Sequence, residues 1–339
     1  MTQNYSTNSF YYIRILACFA IGILHTLFAC FVYYGDTLTD GNIGLIQIIE
    51  NHLMWALPLF LMITGALLLN PEKEIDKGKI IKYLSRIIAA LIFFTFVFQA
   101  YEYLFEEEQG VLFEGLKKLV TGTGWAHMWY LYLMIGIYLM IPIYRMISRQ
   151  AGRGELLYFI ALLVIFISVL PLGKYFDFDI GFYIPTTLIY PAYLFIGYYF
   201  CNHPMKRSLA VILFVLSTVL IFAVTYFRFT NTQDMHNADL TLGYDSVLVV
   251  LQSTAVFCIL TGIKRSPGKI ILAIDKCTFG IYIIHMIFIR LLFKWFGFNP
   301  FEYGMAKGLS VIILANIVIF TVSMCITYTV RKISKGRAF

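Results

Sequence analysis

The sequence predicts an all-α integral membrane protein, a polytopic bundle of about ten transmembrane helices with both termini in the cytoplasm. Of the 339 residues, 60% are hydrophobic and only 13% are charged, about half the charged fraction of a soluble domain. Apolar runs long enough to cross a bilayer recur along the whole chain. Lys and Arg are concentrated in alternate loops between these runs, which is typical of cytoplasmic loops.

The ten predicted spans follow the apolar runs in chain order. They are 10–33, 44–69, 81–104, 127–147, 155–171, 183–201, 207–229, 244–263, 273–296 and 306–330. The longest outer loops are 105–126 and 228–243, and FEGLKKLVTG (113–122) predicts a short amphipathic helix on the outer surface. We expect one transmembrane domain over residues 1–339, with no appended soluble domain.

The basic residues give the bundle its orientation, because cytoplasmic loops carry an excess of Lys and Arg. The opposite loops hold fewer basic residues and most of the acidic ones, such as those in 102–108. The cytoplasmic set comprises Lys73, Lys77, Lys79, Lys82, Arg86, Arg145, Arg149, Arg153, Lys206, Arg207, Lys264, Arg265, Lys269, Arg331, Lys332, Lys335 and Arg337. Since these loops account for the net charge of +7, we predict no nucleic-acid partner.

The first span carries an arginine, Arg14, and a histidine, His25. It is too long for the core of a signal peptide, so we expect a retained helix. Eleven steps of about 100° complete three turns plus roughly 20°, which places both side chains on one stripe about 16 Å apart along the axis. Arg14 then lies near the cytoplasmic surface and His25 near the midplane of a core about 30 Å thick.

Two interpretations of this pair stay open. Arg14 can serve only as a topology determinant while His25 bonds another helix. Alternatively, the pair forms a cationic site open to the cytoplasm that leads to an imidazole. Arginine binds phosphate with its planar fork, and neutral histidine serves as a general base near pH 7. Intramembrane charges are costly and usually mark function.

The second and third spans add a histidine and a basic face. His52 follows Glu50 and Asn51 and is a further intramembrane candidate. Pro58 and Gly65 predict a kink and close helix packing. In the loop 71–87, three basic residues share one helical face, either to contact anionic lipid headgroups or to form the second half of a phosphate clamp. They are Lys79, Lys82 and Arg86.

The fourth and ninth spans each place a histidine beside aromatic residues. His127 precedes Trp129 and Tyr130, a pattern that suits an interfacial belt or a sugar-binding platform. His285 lies three residues after Tyr282, on the same helical face, and is either a buried structural histidine or a functional one. The six cysteines show no metal-ligand spacing, and we interpret them as core thiols.

Three blocks in this order resemble the acyltransferase-3 family of bacterial integral membrane proteins. They are Arg14 followed after ten residues by His25, PLFLMITGALLL (58–69) followed by KIIKYLSRI (79–87), and TFGIYIIH (278–285). HMWYLYLMIGIYLMIP (127–142) also resembles the fourth helix of the family. The resemblance implies ten core helices in the bacterial plasma (inner) membrane. It also implies transfer of an acyl group, usually acetyl, from cytoplasmic acyl-CoA to hydroxyls of extracytoplasmic glycans or lipid-linked sugars.

From the residues and this resemblance we predict three groups of site residues. The catalytic ones are His25 and His285, those binding acyl-CoA are Arg14, Lys82, Arg86 and Tyr282, and those binding the acceptor are His52, His127 and Trp129. Acyl-CoA is the donor substrate, and we expect no metal and no tightly bound cofactor. Predicted partners are membrane lipid, the glycan or lipid-linked sugar acceptor, and either a second copy of the chain or an envelope-biosynthesis protein.

One position departs from the family pattern. Relatives often carry an acidic residue three positions before the arginine, and here that position is Tyr11. A carboxylate there would orient Arg14 in the donor site, and this sequence lacks it.

Two alternatives from other functional classes stay open. The first is a transporter of a small polar substrate, such as the amino acid serine, or of a glycan intermediate, with Arg14 and His25 lining its pathway. The absence of a clear internal repeat disfavours it. The second is a non-catalytic membrane subunit of a glycan assembly complex, in which both residues are replaceable.

Overall fold

The computed structural model describes residues 7–106, 110–176, 184–232, 241–302 and 304–334. Of residues 174–176 only the backbone is described. Within these ranges the chain is helical and contains no β-strand. The helices are α1 (Asn8–Tyr34), α2 (Asp40–Leu53), α3 (Ala56–Leu68), α4 (Lys77–Phe105), α5 (Val111–Thr121), α6 (Trp129–Gln150), α7 (Arg153–Val164), α8 (Ile189–Asn202), α9 (Arg207–Asn231), α10 (Val247–Thr261), α11 (Lys269–Arg290) and α12 (Met305–Ile333).

The polytopic helical class predicted from the sequence is confirmed. The described residues contain eight helical segments long and apolar enough to cross a membrane. The predicted spans 183–201 and 244–263 instead contain α8 and α10, of 14 and 15 residues. Helices of that length reach about 21–22 Å, less than a hydrocarbon core of about 30 Å. Two of the ten predicted spans are therefore shorter than a full crossing.

Helix α8, one of these two short helices, lies inside the bundle. Every residue of 192–199 is buried, and a helix that is apolar and buried all round belongs to the core of a protein. Its partner is α3, which is also apolar and mostly buried. The two helices pack against each other and against α1, α7 and α10.

The second predicted span is interrupted. It consists of α2 and α3, which are separated by a turn at Met54 and Trp55. Pro58 lacks the N–H group that would bond to the carbonyl of Met54, so the helical hydrogen-bond ladder is broken one turn before the proline. The kink that Pro58 predicts is thus a break between two helices.

Gly65 in α3 and Gly197 in α8 let these helices touch. A Cβ atom at Gly65 would lie 1.9 Å from the backbone oxygen of Leu194, and one at Gly197 would lie 2.1 Å from that of Met62. Both neighbours are backbone atoms, which cannot rotate away. The close packing that Gly65 predicts is therefore reciprocal, with one glycine on each helix.

Replacing either glycine with alanine is expected to destabilise the fold strongly. The added methyl group must push α3 and α8 apart, at a cost of about 3 kcal/mol. Gly136→Ala is the matched control, since a Cβ atom at Gly136 meets nothing within 4 Å and alanine favours helix. Thermal unfolding in detergent checks this: Gly65→Ala should unfold well below the control, and equal midpoints would contradict the close contact.

A short helix packs on the end of α4. Helix α5 matches the predicted amphipathic segment 113–122, and its Lys118 forms an ion pair with Glu102 of α4 at 2.6 Å. Arg290 of α11 pairs with the same carboxylate at 3.0 Å, and the indole of Trp125 donates to it at 2.8 Å. Because the Glu102 side chain is only 7% exposed, these three donors compensate a buried charge.

Candidate active site

Helices α1 and α11 lie side by side and meet through polar side chains at two levels. Arg14 binds Asp275, with Nε 2.6 Å from Oδ1 and Nη2 3.1 Å from Oδ2. His25 binds His285, with Nδ1 2.7 Å from Nε2. Residue numbers rise along both helices between the two contacts, so the helices run parallel. The stripe predicted on α1 is the face that meets α11.

The hydrogen bonds of His285 determine which nitrogen of His25 is basic. His285 Nδ1 lies 3.0 Å from the carbonyl oxygen of Ile281, and a carbonyl only accepts, so this nitrogen donates. Nε2 of a neutral His285 is then an acceptor, and it receives the hydrogen bond of His25 Nδ1–H. This tautomer follows from the hydrogen-bond network. It leaves the lone pair of His25 on Nε2.

A third histidine completes a cluster. His127, in the turn before α6, lies with its ring centroid 6.2 Å from that of His25 and 5.8 Å from that of His285. Its Nε2 donates to the carbonyl of Ile283 at 3.0 Å. Nδ1 of His127 then carries a lone pair, and it has no hydrogen-bond partner among the described residues.

Accessibility separates the three histidines. His127 and His285 are 2% and 3% exposed, whereas His25 is only partly buried. His25 is therefore the most exposed of the three histidines. His285 is placed to support His25, and His127 presents an unused acceptor beside it.

A cavity of about 740 Å³ leads towards this cluster. Its inner end is lined by Ile21, Tyr130 and Tyr282, which lie three or four residues from His25, His127 and His285 respectively. Three or four residues make one turn of helix, about 5.4 Å. The cavity thus ends within about one turn of all three imidazoles.

The opposite end of the cavity is basic. Arg14, Lys73, Lys79 and Arg86 line it, with Glu74 as the acidic residue among them. Between the two ends the walls are mainly apolar and aromatic, with residues such as Leu57, Phe60, Ile63, Met134 and Tyr138. A charged mouth with an apolar shaft fits an elongated ligand that carries anionic groups at one end.

Arg145 of α6 holds the loop that carries Lys73. Its Nη1 donates to the carbonyl oxygens of Leu68 and Asn70 at 2.5 and 3.0 Å, and its Nη2 donates to that of Lys73 at 2.5 Å. The residue is 4% exposed, and burying a guanidinium is costly unless it is hydrogen-bonded. The sequence places Arg145 among the residues that orient the bundle in the membrane. In the structure its contacts also shape the mouth of the cavity.

The two cavity arginines have different partners. Arg14 is paired with Asp275, and the Tyr11 ring lies 5.4 Å from its guanidinium carbon. Arg86 lies against the ring of Phe279 at 5.7 Å. No carboxylate of a described residue forms an ion pair with Arg86. The carboxylate missing at position 11 is thus supplied to Arg14 by α11.

The structure brings most predicted site residues together and leaves three elsewhere. Lys82 is exposed on α4 and lies outside the cavity lining. His52 packs between α2 and α9, where its ring nitrogens lie 2.6 and 3.1 Å from the carbonyl oxygens of Ile48 and Thr218. Trp129 packs against the rings of Tyr190 and Tyr244. The predicted roles of these three residues stay predictions.

Aromatic packing closes the side of the cluster next to Glu102. The rings of Trp125 and Phe98 are stacked with centroids 4.3 Å apart, and Phe98 lies 5.4 Å from His127. The guanidinium of Arg290 lies 4.5 Å above the Trp125 ring.

Sequence reasoning missed Asp275 and Tyr130 as parts of the site. Asp275 lies ten positions before His285, and Arg14 lies eleven positions before His25. This similar spacing of a charged residue and a histidine is the sequence signal that could have identified Asp275. The aromatic pattern around Tyr130 suits an interfacial belt or a sugar-binding platform, and the structure places Tyr130 at the inner end of the cavity.

A family model described as an acyltransferase domain matches residues 8–330. Neither the curated proteins nor the solved structures include a significant match.

Proposed function

The chain belongs to the acyltransferase-3 family, and on that premise we propose that this membrane acyltransferase is an O-acetyltransferase. Its donor is cytoplasmic acetyl-CoA, and its acceptor is a hydroxyl of an extracytoplasmic or lipid-linked glycan. It works in the bacterial plasma (inner) membrane with the basic end of the cavity facing the cytoplasm.

One observation carries this proposal. The cavity has a basic mouth and an apolar shaft, and its inner end lies about one helical turn from the imidazole cluster. An acyl-CoA has the matching sequence of chemical groups, since its phosphates lie at one end and its thioester at the end of a slender arm. Cationic side chains bind the phosphates, and the thioester is delivered to the histidines.

His25 is the group that we assign to the chemistry. Its Nε2 takes the proton of the acceptor hydroxyl as the hydroxyl oxygen attacks the thioester carbonyl. A carbon–oxygen bond forms, the carbon–sulfur bond breaks, and the proton passes from His25 to the departing CoA thiolate. If the acyl group is instead carried by His25 as an intermediate, the same nitrogen is the nucleophile.

His285 stabilises His25 throughout this step. When His25 gains a proton, its Nδ1–H becomes a stronger donor to His285 Nε2, 2.7 Å away. Ile281 in turn holds the His285 ring through Nδ1. This chain of hydrogen bonds keeps Nε2 of His25 directed at the substrate.

The experiment is acetyl transfer in proteoliposomes. The purified chain is reconstituted with lipid-linked sugars extracted from bacterial membranes, and acetyl-CoA labelled in the acetyl group is supplied from outside. We expect label in the lipid-linked fraction together with release of free CoA. Vesicles without the protein give the background, and the absence of any protein-dependent CoA release would contradict the proposal.

The same vesicles distinguish the two alternative functions. A transporter moves its substrate without consuming acyl-CoA, and it depends on an ion gradient or a counter-substrate. A non-catalytic subunit neither binds CoA nor releases it from acetyl-CoA. Only an acyltransferase couples CoA release to labelling of the acceptor.

A further inference from the structure

We infer that Asp275 is a positioning residue that holds Arg14 and cancels its charge, so that Arg86 and the lysines of the cavity mouth bind the phosphates of the donor. This inference rests on the proposed function, because it concerns how acyl-CoA is bound. It assigns different roles to two arginines that the sequence placed together in one phosphate clamp.

The contact between Arg14 and Asp275 is a bidentate ion pair. Both carboxylate oxygens are engaged, at 2.6 and 3.1 Å, and the side chains are 24% and 10% exposed. Paired hydrogen bonds of this type fix the plane of the guanidinium as well as its position. Arg14 therefore has a defined orientation before any ligand arrives.

The pair presents little net charge to an anion in the cavity. The attraction between Arg14 and an anion falls with distance, and the negative charge of Asp275 repels the same anion. The positive charge of Arg14 is thus offset by Asp275 within hydrogen-bond distance. Arg86 forms no ion pair with a described residue, so no carboxylate offsets its charge at hydrogen-bond distance.

Arg14 keeps a role that suits a neutral group. A guanidinium has five N–H groups, and two of them bind Asp275. The others can donate to an uncharged oxygen, such as an amide carbonyl in the arm of the donor. Arg14 would then guide that arm towards His25, about 16 Å further along α1.

The test compares binding of adenosine 3′,5′-bisphosphate, the phosphate-rich end of CoA, with catalysis. Arg86→Gln should weaken binding of this probe at least tenfold. Asp275→Asn should leave binding unchanged or tighten it, because Arg14 becomes uncompensated, while kcat for acetyl transfer falls about tenfold. Retained binding also shows that Asp275→Asn is folded.

Two further variants separate positioning from loss of charge. Asp275→Glu keeps the carboxylate and should restore most of kcat. Tyr11→Glu combined with Asp275→Asn offers Arg14 a carboxylate one turn away on its own helix and should also recover activity. Lys276→Gln is the control, since this neighbouring side chain is exposed and lies outside the cavity lining. It should change neither readout.

These experiments distinguish failure of the inference about Asp275 from failure of the proposed function. If the wild-type protein binds neither the bisphosphate nor CoA, the donor is not acyl-CoA and both proposals fail. If the wild type binds but Asp275→Asn weakens binding as much as Arg86→Gln, the assignment of Asp275 is wrong. An unchanged kcat in Asp275→Asn also overturns it.

Discussion

Replacing His25 with asparagine is expected to reduce acetyl transfer by about 10³-fold, the scale on which a positioned general base contributes. The asparagine amide can occupy the place of Nδ1 and donate to His285, whereas nothing replaces the lone pair of Nε2. The substitution therefore removes the proposed base and retains the hydrogen bond to α11. The measurement is the initial rate of CoA release in proteoliposomes with saturating acetyl-CoA.

CoA binding is the control for this variant. His25 lies about one helical turn beyond the inner end of the cavity, far from the mouth where the phosphates are proposed to bind, so His25→Asn should bind CoA with wild-type affinity. Full transfer activity in the variant would show that His25 is not the base. Loss of CoA binding together with activity would indicate a structural defect instead.

Replacing His285 with leucine is expected to lower kcat by about 10²-fold while the KM for acetyl-CoA stays near the wild-type value. Leucine cannot accept the hydrogen bond from His25 Nδ1–H, so His25 loses the partner that holds its tautomer and stabilises its protonated form. The expected loss of rate in His285→Leu is smaller than in His25→Asn because His25, the proposed base, remains.

His285→Gln is the matched comparison. Its side-chain oxygen can reach the place of Nε2 and accept from His25, so this variant should recover a large part of kcat. A pH–rate profile adds an independent readout, since only a residue that acts on His25 shifts the pH at which the rate is half maximal. Equal activity of the leucine and glutamine variants would contradict a hydrogen-bonding role.

Helix periodicity alone does not identify which of the basic residues Lys79, Lys82 and Arg86 line the cavity. Lys79 and Arg86 are seven residues apart, which is two turns less about 20°, and both line the cavity. Lys82 is turned about 60° from Lys79 and is exposed outside it. The sequence grouped all three on one broad face, and only the position of the cavity divides that face.

Local sequence patterns likewise do not predict that α3 packs against α8. Pro58 and Gly65 predicted a kink and close packing from their backbone chemistry alone. Nothing local in the sequence paired Gly65 with Leu194, because that pairing depends on how two buried helices approach each other.

The sequence by itself determined the membrane class, the identity of most spans, and the stripe that joins Arg14 to His25. These properties are local, because hydrophobicity acts over one helix and a helix repeats every 3.6 residues. Only the tertiary structure decided that Asp275 holds Arg14 and that His285 holds His25. These partners are separated by 261 and 260 residues, so their contacts depend on the register between α1 and α11, which no local pattern encodes.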